Sequence, residues 1–155
     1  MQKGTTGQPF TKAAAKAGQR CVCFNVRKTA RAITQLYDEM LRPSGLRVTQ
    51  FSLLMATRGL DSVTLNRLAR AVGMDRTTLT RNLRPLEKQG LLRIVLGADR
   101  RERNVMLTVK GEQTMVEALP LWEAAQARIT NGFGHERLSQ LFTELEALTA
   151  VSRSM

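Results

Sequence analysis

Two short apolar stripes with helical spacing lie close together between residues 65 and 90. A glycine, Gly73, separates them, and Gly90 follows the second stripe, so each predicted helix has a residue suited to ending it. Asp75 stands where it can cap the second helix. A helix, a tight turn and a second helix form the helix-turn-helix layout. The first stripe contains Leu65, Leu68, Ala69 and Val72, and the second contains Leu79, Leu83 and Leu86.

The free faces of the second predicted helix carry hydroxyl and guanidinium groups. These groups can hydrogen-bond DNA phosphates and base edges. An ordinary helical hairpin with a solvated polar face is the alternative interpretation. Pro85 lies inside the helix and predicts a kink or weakened last turns. The candidate DNA contacts are Arg76, Thr77, Thr78, Thr80, Arg81 and Arg84.

The next segment predicts a β-hairpin with a charged turn. Leu92, Ile94 and Leu96 recur at alternate positions, and after the stretch GADRRER the alternation resumes at residues 105–107. Directly after a helix-turn-helix, such a hairpin is placed like a wing that reaches a phosphate backbone or a minor groove. A merely soluble loop is the alternative. The charged residues of the turn are Asp99, Arg100, Arg101, Glu102 and Arg103.

The charge of the chain is concentrated in its first two thirds. Residues 1–57 hold nine basic and two acidic residues, and residues 58–110 hold twelve and five. Residues 111–155 hold three basic and six acidic residues, so the net +11 comes entirely from the earlier part. A basic front and middle indicate a polyanion-binding face. A basic surface that only keeps the protein soluble is the other interpretation.

Amphipathic helices are predicted on both sides of this central region. The apolar spacing predicts one helix over about 20–42 and two over about 109–151, with a break at Asn131 and Gly132. Thr49 is the expected N-cap of the helix after the first one, and Thr108 of the long helix. We therefore expect a flexible basic tail over 1–19 and one domain over 20–155, with a DNA-binding lobe over about 48–110.

Several classes of protein do not fit this sequence. No apolar run approaches the length of a membrane helix, and two cysteines cannot build a disulfide framework, which favours a cytoplasmic setting. The single histidine, His135, argues against a multi-histidine metal site. We find no carboxylate pair, phosphate loop or catalytic triad. The sequence predicts no enzyme, no cofactor, no metal site and no membrane partner.

In the order of its elements, the sequence resembles the MarR family of winged helix-turn-helix regulators over about residues 20–150. The resemblance rests on GLRVTQFSLL at 45–54, LNRLARAVGMDRTTLTRNLRPLEKQGLL at 65–92, GADRRERNVMLT at 97–108 and LTVKG at 107–111. It implies a mainly α fold with a small β-hairpin wing. It also implies a homodimer built by the N- and C-terminal helices, with double-stranded DNA as the partner.

The resemblance also implies roles for particular residues. The second helix would enter the major groove and the wing would reach the minor groove, where Asp99 and Arg101 match the family's Asp-x-Arg. An effector pocket would lie between the dimerisation helices and the DNA-binding lobe and would take a small organic molecule. Its candidate lining residues, for which core packing is the alternative role, are Phe24, Tyr37, Phe51 and Met55.

The cysteines resemble those of the organic-hydroperoxide-sensing branch of the family. In that branch a reactive cysteine is followed by phenylalanine and is hydrogen-bonded by tyrosines four and fourteen residues later. Cys23 is followed by Phe24 and Tyr37 stands fourteen residues on, but Arg27 replaces the nearer tyrosine. The arginine would favour a thiolate electrostatically. Packing of Cys21 and Cys23 as small apolar residues is the alternative.

Two functions follow from these features. The first is a sequence-specific DNA-binding regulator, a dimeric repressor released by a small ligand or by thiol oxidation. The second is an architectural protein that binds DNA independently of sequence. Both explain the charge, and the ratio of specific to non-specific affinity at fixed salt separates them.

Overall fold

The structure is a computed structural model that describes residues 16–60, 63–97, 99 and 102–153. Two compact units are present, one ending at Leu36 and the other beginning at Tyr37. Most of the predicted tail lies outside the described residues, as do Arg100 and Arg101 of the predicted wing.

The first unit is helical where it is described. Residues 16–20 are helical, Cys21 interrupts the helix, and α1 then runs from Val22 to Leu41, so that its residues up to Leu36 belong to this unit. The prediction of a flexible tail reaching residue 19 is therefore wrong for residues 16–19. Lys16, Ala17 and Gln19 are strong helix formers, and they favour helix in this segment in spite of Gly18.

The second unit contains the helix-turn-helix, a small sheet and two long helices. Leu65–Ala71 and Arg76–Lys88 confirm the two predicted short helices, and Gly73 and Gly90 follow them with φ of 69° and 71°. Its elements after a 3-10 turn at Arg42–Ser44 are α2 (Val48–Gly59), β1 (Val63–Thr64), α3 (Leu65–Ala71), α4 (Arg76–Lys88), β2 (Leu92–Leu96), β3 (Arg103–Leu107), α5 (Val109–Phe133) and α6 (His135–Arg153).

The predicted hairpin is present, and it is joined by a strand that the sequence did not predict. The antiparallel sheet has the order β1-β3-β2, with Val105 opposite both Ile94 and Val63. β1 has only two residues, which is too short for an alternation of apolar and polar side chains to be recognised. Its pairing with β3 anchors the start of α3 to the base of the wing.

The first turn of α2 is capped from a distance. The backbone N–H of Val48 donates to Asp38 Oδ1 at 2.7 Å, and the Arg47 N–H donates to Gln50 Oε1 at 2.9 Å. The predicted N-cap, Thr49, is instead inside the helix. That prediction is wrong because a carboxylate ten residues earlier satisfies the end of the helix.

Proline and glycine end the helices less often than the sequence suggested. α4 continues three residues beyond Pro85, and α5 contains Pro120 and passes through Asn131 and Gly132 to Phe133. The predicted break at Asn131 and Gly132 is therefore wrong. The helix ends at Phe133, and Gly134 follows it with φ of 97°, a conformation that glycine adopts without the steric cost of a Cβ.

The core of the second unit is built from fully buried leucines and one aromatic pair. Leu79, Leu83 and Leu86 of α4 are each 0% exposed. Phe51 of α2 is also buried and stacks on Trp122 of α5, with ring centroids 6.1 Å apart. The core therefore joins the helix-turn-helix, α2 and the first half of α5.

Asp75 caps α4 through both of its carboxylate oxygens. The backbone N–H of Thr78 donates to Oδ1 at 2.9 Å and its hydroxyl donates to Oδ2 at 2.6 Å, as the sequence predicted for a cap at this position. These hydrogen bonds hold the pKa of Asp75 below its ordinary value. The bond from the Thr78 hydroxyl has the largest effect, and the bond from the Thr78 N–H has the next largest.

Gly111 lies where α5 passes the end of the helix-turn-helix. A Cβ at this position would overlap the backbone carbonyl oxygen of Leu91. The same junction contains hydrogen bonds from Thr108 N–H to Leu91 O at 3.1 Å and from the Thr108 hydroxyl to Gly90 O at 2.6 Å. The absence of a side chain at Gly111 is therefore required for this close approach.

Gly111→Ala should lower the free energy of unfolding by about 1–3 kcal/mol, because backbone must move to admit the methyl group. Gly132→Ala is the matched control, since it lies in the same helix and its Cβ would meet no atom within 4 Å. The control should raise stability by about 0.5–1 kcal/mol through helix propensity. Urea unfolding at one fixed protein concentration measures both, and equal effects of the two substitutions would contradict the packing argument.

Asp75→Asn should flatten the acid dependence of stability. A carboxylate with a lowered pKa adds stability above its unfolded-state pKa of about 4, and that stability is lost as the pH falls through the folded-state value. Asparagine retains an oxygen for the cap but does not titrate. Urea unfolding at pH values between about 5 and 2 should show a steeper loss for the unmodified protein. Parallel curves for the two proteins would show that the Thr78 hydrogen bonds do not favour the ionised form.

Candidate nucleic-acid interface

The outer face of α4 forms a shallow open groove of arginine and threonine side chains. Because the leucines on the opposite face are fully buried, the rotation of α4 about its own axis is fixed and this face is directed to solvent. Arg76, Arg81 and Arg84 are all exposed. The residues that line the groove are Arg76, Thr77, Thr80, Arg81 and Arg84. Five of the six predicted contacts are thus brought together.

The three threonines of α4 have different hydrogen-bond partners. The hydroxyl of Thr78 is used by the Asp75 cap, and that of Thr80 donates to the Arg76 carbonyl at 2.8 Å. The hydroxyl of Thr77 has no hydrogen-bond partner among the residues that the structure describes. Thr78 is the predicted contact that does not line the groove, because its side chain stabilises the start of the helix.

The base of the wing lies beside the start of α4. A small cleft brings Arg76 together with Glu102 and Arg103, next to the first residues of α3. In the wing turn, the Gly97 N–H donates to Glu102 O at 3.0 Å, and the Glu102 N–H donates to Asp99 O at 2.9 Å. The sequence did not indicate that Asn66 also lines this cleft, because β1 and its pairing were not recognised.

Glu87 joins α4 to the wing strand β2 through a hydrogen bond. Its Oε1 accepts a hydrogen bond from the Ile94 N–H at 3.3 Å, which joins the last turn of α4 to the middle of β2. The Lys110 ammonium group of α5 donates to the Gln89 carbonyl, just after α4, at 2.9 Å. The Glu87 contact therefore links α4 to the wing, and the Lys110 contact links the end of α4 to α5.

Both cysteines are exposed in the chain, at the start of α1. Cys21 is outside the regular helix and its Sγ accepts a hydrogen bond from the Phe24 N–H at 3.4 Å, in the manner of an N-cap. The Asn25 amide donates to the carbonyl oxygens of Gln19, at 3.0 Å, and Cys21, at 2.9 Å, and so stabilises the interruption. Cys23 and Arg27 lie within α1, and Arg27 is exposed.

The predicted effector-pocket residues have different environments. Phe51 is packed in the core against Trp122, whereas Met55 is 41% exposed and Phe24 is 51% exposed. Tyr37 is buried, which raises the pKa of its hydroxyl, and this hydroxyl donates to Gln126 Oε1. Gln126 has no signal in the sequence, because it lies 89 residues from Tyr37 and only the fold brings them together.

Among residues 16–60, 63–97, 99 and 102–153, no group of three or more histidine, cysteine, aspartate or glutamate residues could hold a metal ion. No helix in those ranges is both long enough and apolar enough to cross a bilayer.

Comparison with known proteins gives consistent matches. The MarR family model matches residues 44–102. The HTH-type transcriptional regulator YwoH of Bacillus subtilis (strain 168) is 30% identical over 98 residues, which are 63% of this chain and 72% of YwoH. A structure of the Mycobacterium tuberculosis transcriptional regulator MosR in complex with DNA is 39% identical, with a TM-score of 0.78 over 86% of this chain and 99% of MosR.

A more distant structure shows the same fold. The transcriptional repressor CouR of Rhodococcus jostii RHA1, bound to a 23-mer DNA duplex, is 22% identical with a TM-score of 0.77, over 86% of this chain and 95% of CouR. The mainly α fold with a three-stranded antiparallel sheet agrees with these structures. The chain belongs to the MarR family of winged helix-turn-helix transcriptional regulators.

Proposed function

We propose that this protein is a sequence-specific regulator that binds double-stranded DNA through the outer face of α4. The observation that carries the proposal is the groove in which three arginines and two threonines share the solvent-facing side of the second helix of a helix-turn-helix. Such a helix enters the major groove with its N-terminal residues on base edges. The DNA complex of MosR, at 39% identity, supports the same use of this fold.

The wing supplies the second part of the interface. Arg103 lies at the start of β3 and shares a cleft with Arg76, so two guanidinium groups stand between α4 and the wing. The family resemblance implies that Asp99 and Arg101, with Arg100, would extend the contact toward the minor groove; Arg100 and Arg101 lie outside the described residues. Phosphate contacts of this kind position a protein on the duplex without reading its sequence.

The exposed apolar side chains support a homodimer. α6 and α1 both carry large apolar side chains that are exposed in a single chain. We infer that the helices over about 20–42 and 109–151 pack against a second copy, and that residues 48–110 form the DNA-binding lobe. The exposed residues are Phe142, Leu145, Leu148 and Val151 on α6 and Val22, Phe24, Val26 and Ile33 on α1.

Selection of bound fragments from genomic DNA with the purified protein tests the proposal. A two-fold dimer should enrich a near-palindrome whose half-sites lie about one DNA turn apart. The competing function, architectural binding, predicts no enriched motif and similar affinity for selected and scrambled duplexes at one salt concentration. A monomer at all concentrations in sedimentation that still binds DNA tightly would contradict the dimer.

Arg103→Ala should weaken binding to all duplexes alike and lower the slope of log affinity against log salt by about 1, because one phosphate contact is lost. Arg101→Ala should act in the same way. Arg47→Ala is the matched control, since it removes the same charge from an exposed position outside α4, the wing and the helices proposed to form the dimer. Fluorescence anisotropy over a salt series measures the slope. An unchanged affinity and slope for both wing variants would remove the wing from the interface.

We propose that the regulator is a repressor whose signal is a thiol oxidant or a small organic ligand. Cys23 is the candidate sensor, because it is exposed and lies beside the interruption of the helix at Cys21. An organic hydroperoxide would oxidise the Cys23 thiol to a sulfenic acid and would itself be reduced to the alcohol. A polar sulfur in a packed dimer interface would then alter the spacing of the two DNA-binding lobes.

Mild hydroperoxide should release the unmodified protein from DNA, and an added thiol should restore binding. Cys23→Ser should resist release, whereas Cys21→Ser should respond like the unmodified protein, since serine also serves as an N-cap. A DNA-binding titration before and after peroxide on all three proteins measures this. Equal affinity of the unmodified protein before and after oxidation would assign both cysteines to packing and leave a small ligand as the signal.

A further inference from the structure

The side chains that face solvent on α4 restrict the bases that this helix can read. We propose that α4 reads guanine through Arg81 and thymine through the methyl groups of Thr77 and Thr80, with no amide or carboxylate contact to adenine or cytosine. This inference rests on the proposed function, because it names the base edges that the same face recognises.

The geometry of the helix places Thr77 and Arg81 at the centre of the face. Leu79, Leu83 and Leu86 are fully buried and define the inward direction. At 100° per residue, Thr77 and Arg81 lie within about 30° of the opposite direction. Arg76 lies well to one side, where it shares the cleft with the wing, so it is placed for phosphate rather than for a base.

The side chains of α4 that could read adenine or cytosine are engaged within the protein. Asn82 is half-buried and its Nδ2 donates to Met74 Sδ at 3.5 Å. The Glu87 carboxylate accepts the Ile94 N–H. No other amide or carboxylate side chain occurs between Arg76 and Lys88. The usual bidentate contact to adenine and the usual acceptor for cytosine are therefore missing from this face.

Of the groups that remain, the Thr77 hydroxyl can bond to several bases, whereas the arginine fork and the threonine methyl groups each match one base. A guanidinium group is a rigid fork of donors, and guanine presents two acceptors, N7 and O6, in the major groove. Adenine presents one acceptor beside a donor and cytosine presents a donor, so neither offers two acceptors to the fork. The hydroxyl hydrogen of Thr80 is already given to the Arg76 carbonyl, which leaves its methyl group for an apolar contact with the thymine methyl.

Two modified bases test the inference on the duplex obtained by selection. Replacing a guanine with 7-deazaguanine removes N7 without changing Watson–Crick pairing, and replacing a thymine with deoxyuridine removes the methyl group. At one guanine in each half-site, 7-deazaguanine should weaken binding of the unmodified protein by about 10- to 100-fold. Deoxyuridine should weaken binding at the neighbouring thymine by a smaller factor.

Arg81→Ala connects the modified guanine to a particular side chain. Alanine removes every donor, so this variant should bind the selected duplex more weakly and should lose less than about threefold further on 7-deazaguanine. The salt slope should stay the same, because the lost contact is to a base and not to a phosphate. Arg47→Ala is the matched control, because this exposed arginine lies outside α4, the wing and the helices proposed to form the dimer, and it should discriminate between the two duplexes as the unmodified protein does. Circular dichroism of each variant checks that α4 is folded.

The outcomes separate the inference from the function on which it rests. A guanine in each half-site, sensitive to 7-deazaguanine only when Arg81 is present, supports the inference. An enriched motif without a half-site guanine, or one insensitive to 7-deazaguanine, overturns the inference and leaves the sequence-specific regulator intact. Failure to enrich any motif overturns both.

Discussion

The burial of one leucine row fixes which side of α4 faces solvent. Leu79, Leu83 and Leu86 are fully buried, so α4 cannot rotate about its axis without exposing them to water. Each such side chain contributes about 1.5–3 kcal/mol when it is removed from solvent. The arginines and threonines need no contacts of their own to be presented outward, because the row behind them determines their direction.

Local signals in the sequence were sufficient for most of the fold. The two apolar stripes, Asp75 and the glycines at 73 and 90 lie within one or two helical turns of the features they specify, and they correctly predicted the helix-turn-helix. The sequence failed where the partner is distant. Asp38 caps a helix ten residues away, and β1 exists only because β3 pairs with it. Asn131 and Gly132 stayed helical because Gly134 supplied a better termination.

The sequence predicted which types of residue form the candidate site, but it predicted the roles of the individual residues less well. The sequence indicated that α4 carries donors, but it did not show that Thr78 is committed to Asp75 or that Asn82 and Glu87 are engaged inside the protein. These distinctions depend on the rotation of the helix and on the position of β2. For the same reason Tyr37 could be named from its spacing, but its partner Gln126 could not.

Because Gly111 packs closely against Leu91, a tilt of α5 and a tilt of the helix-turn-helix are coupled. The helix has 25 residues and is therefore about 37 Å long, and its first turn is attached to the end of the helix-turn-helix. A rotation of about 5° at this attachment displaces the far end by about 3 Å, and an equal displacement at the far end tilts the attached lobe by the same angle. A small rearrangement of side chains at the far end of α5 would thus change the orientation of α4.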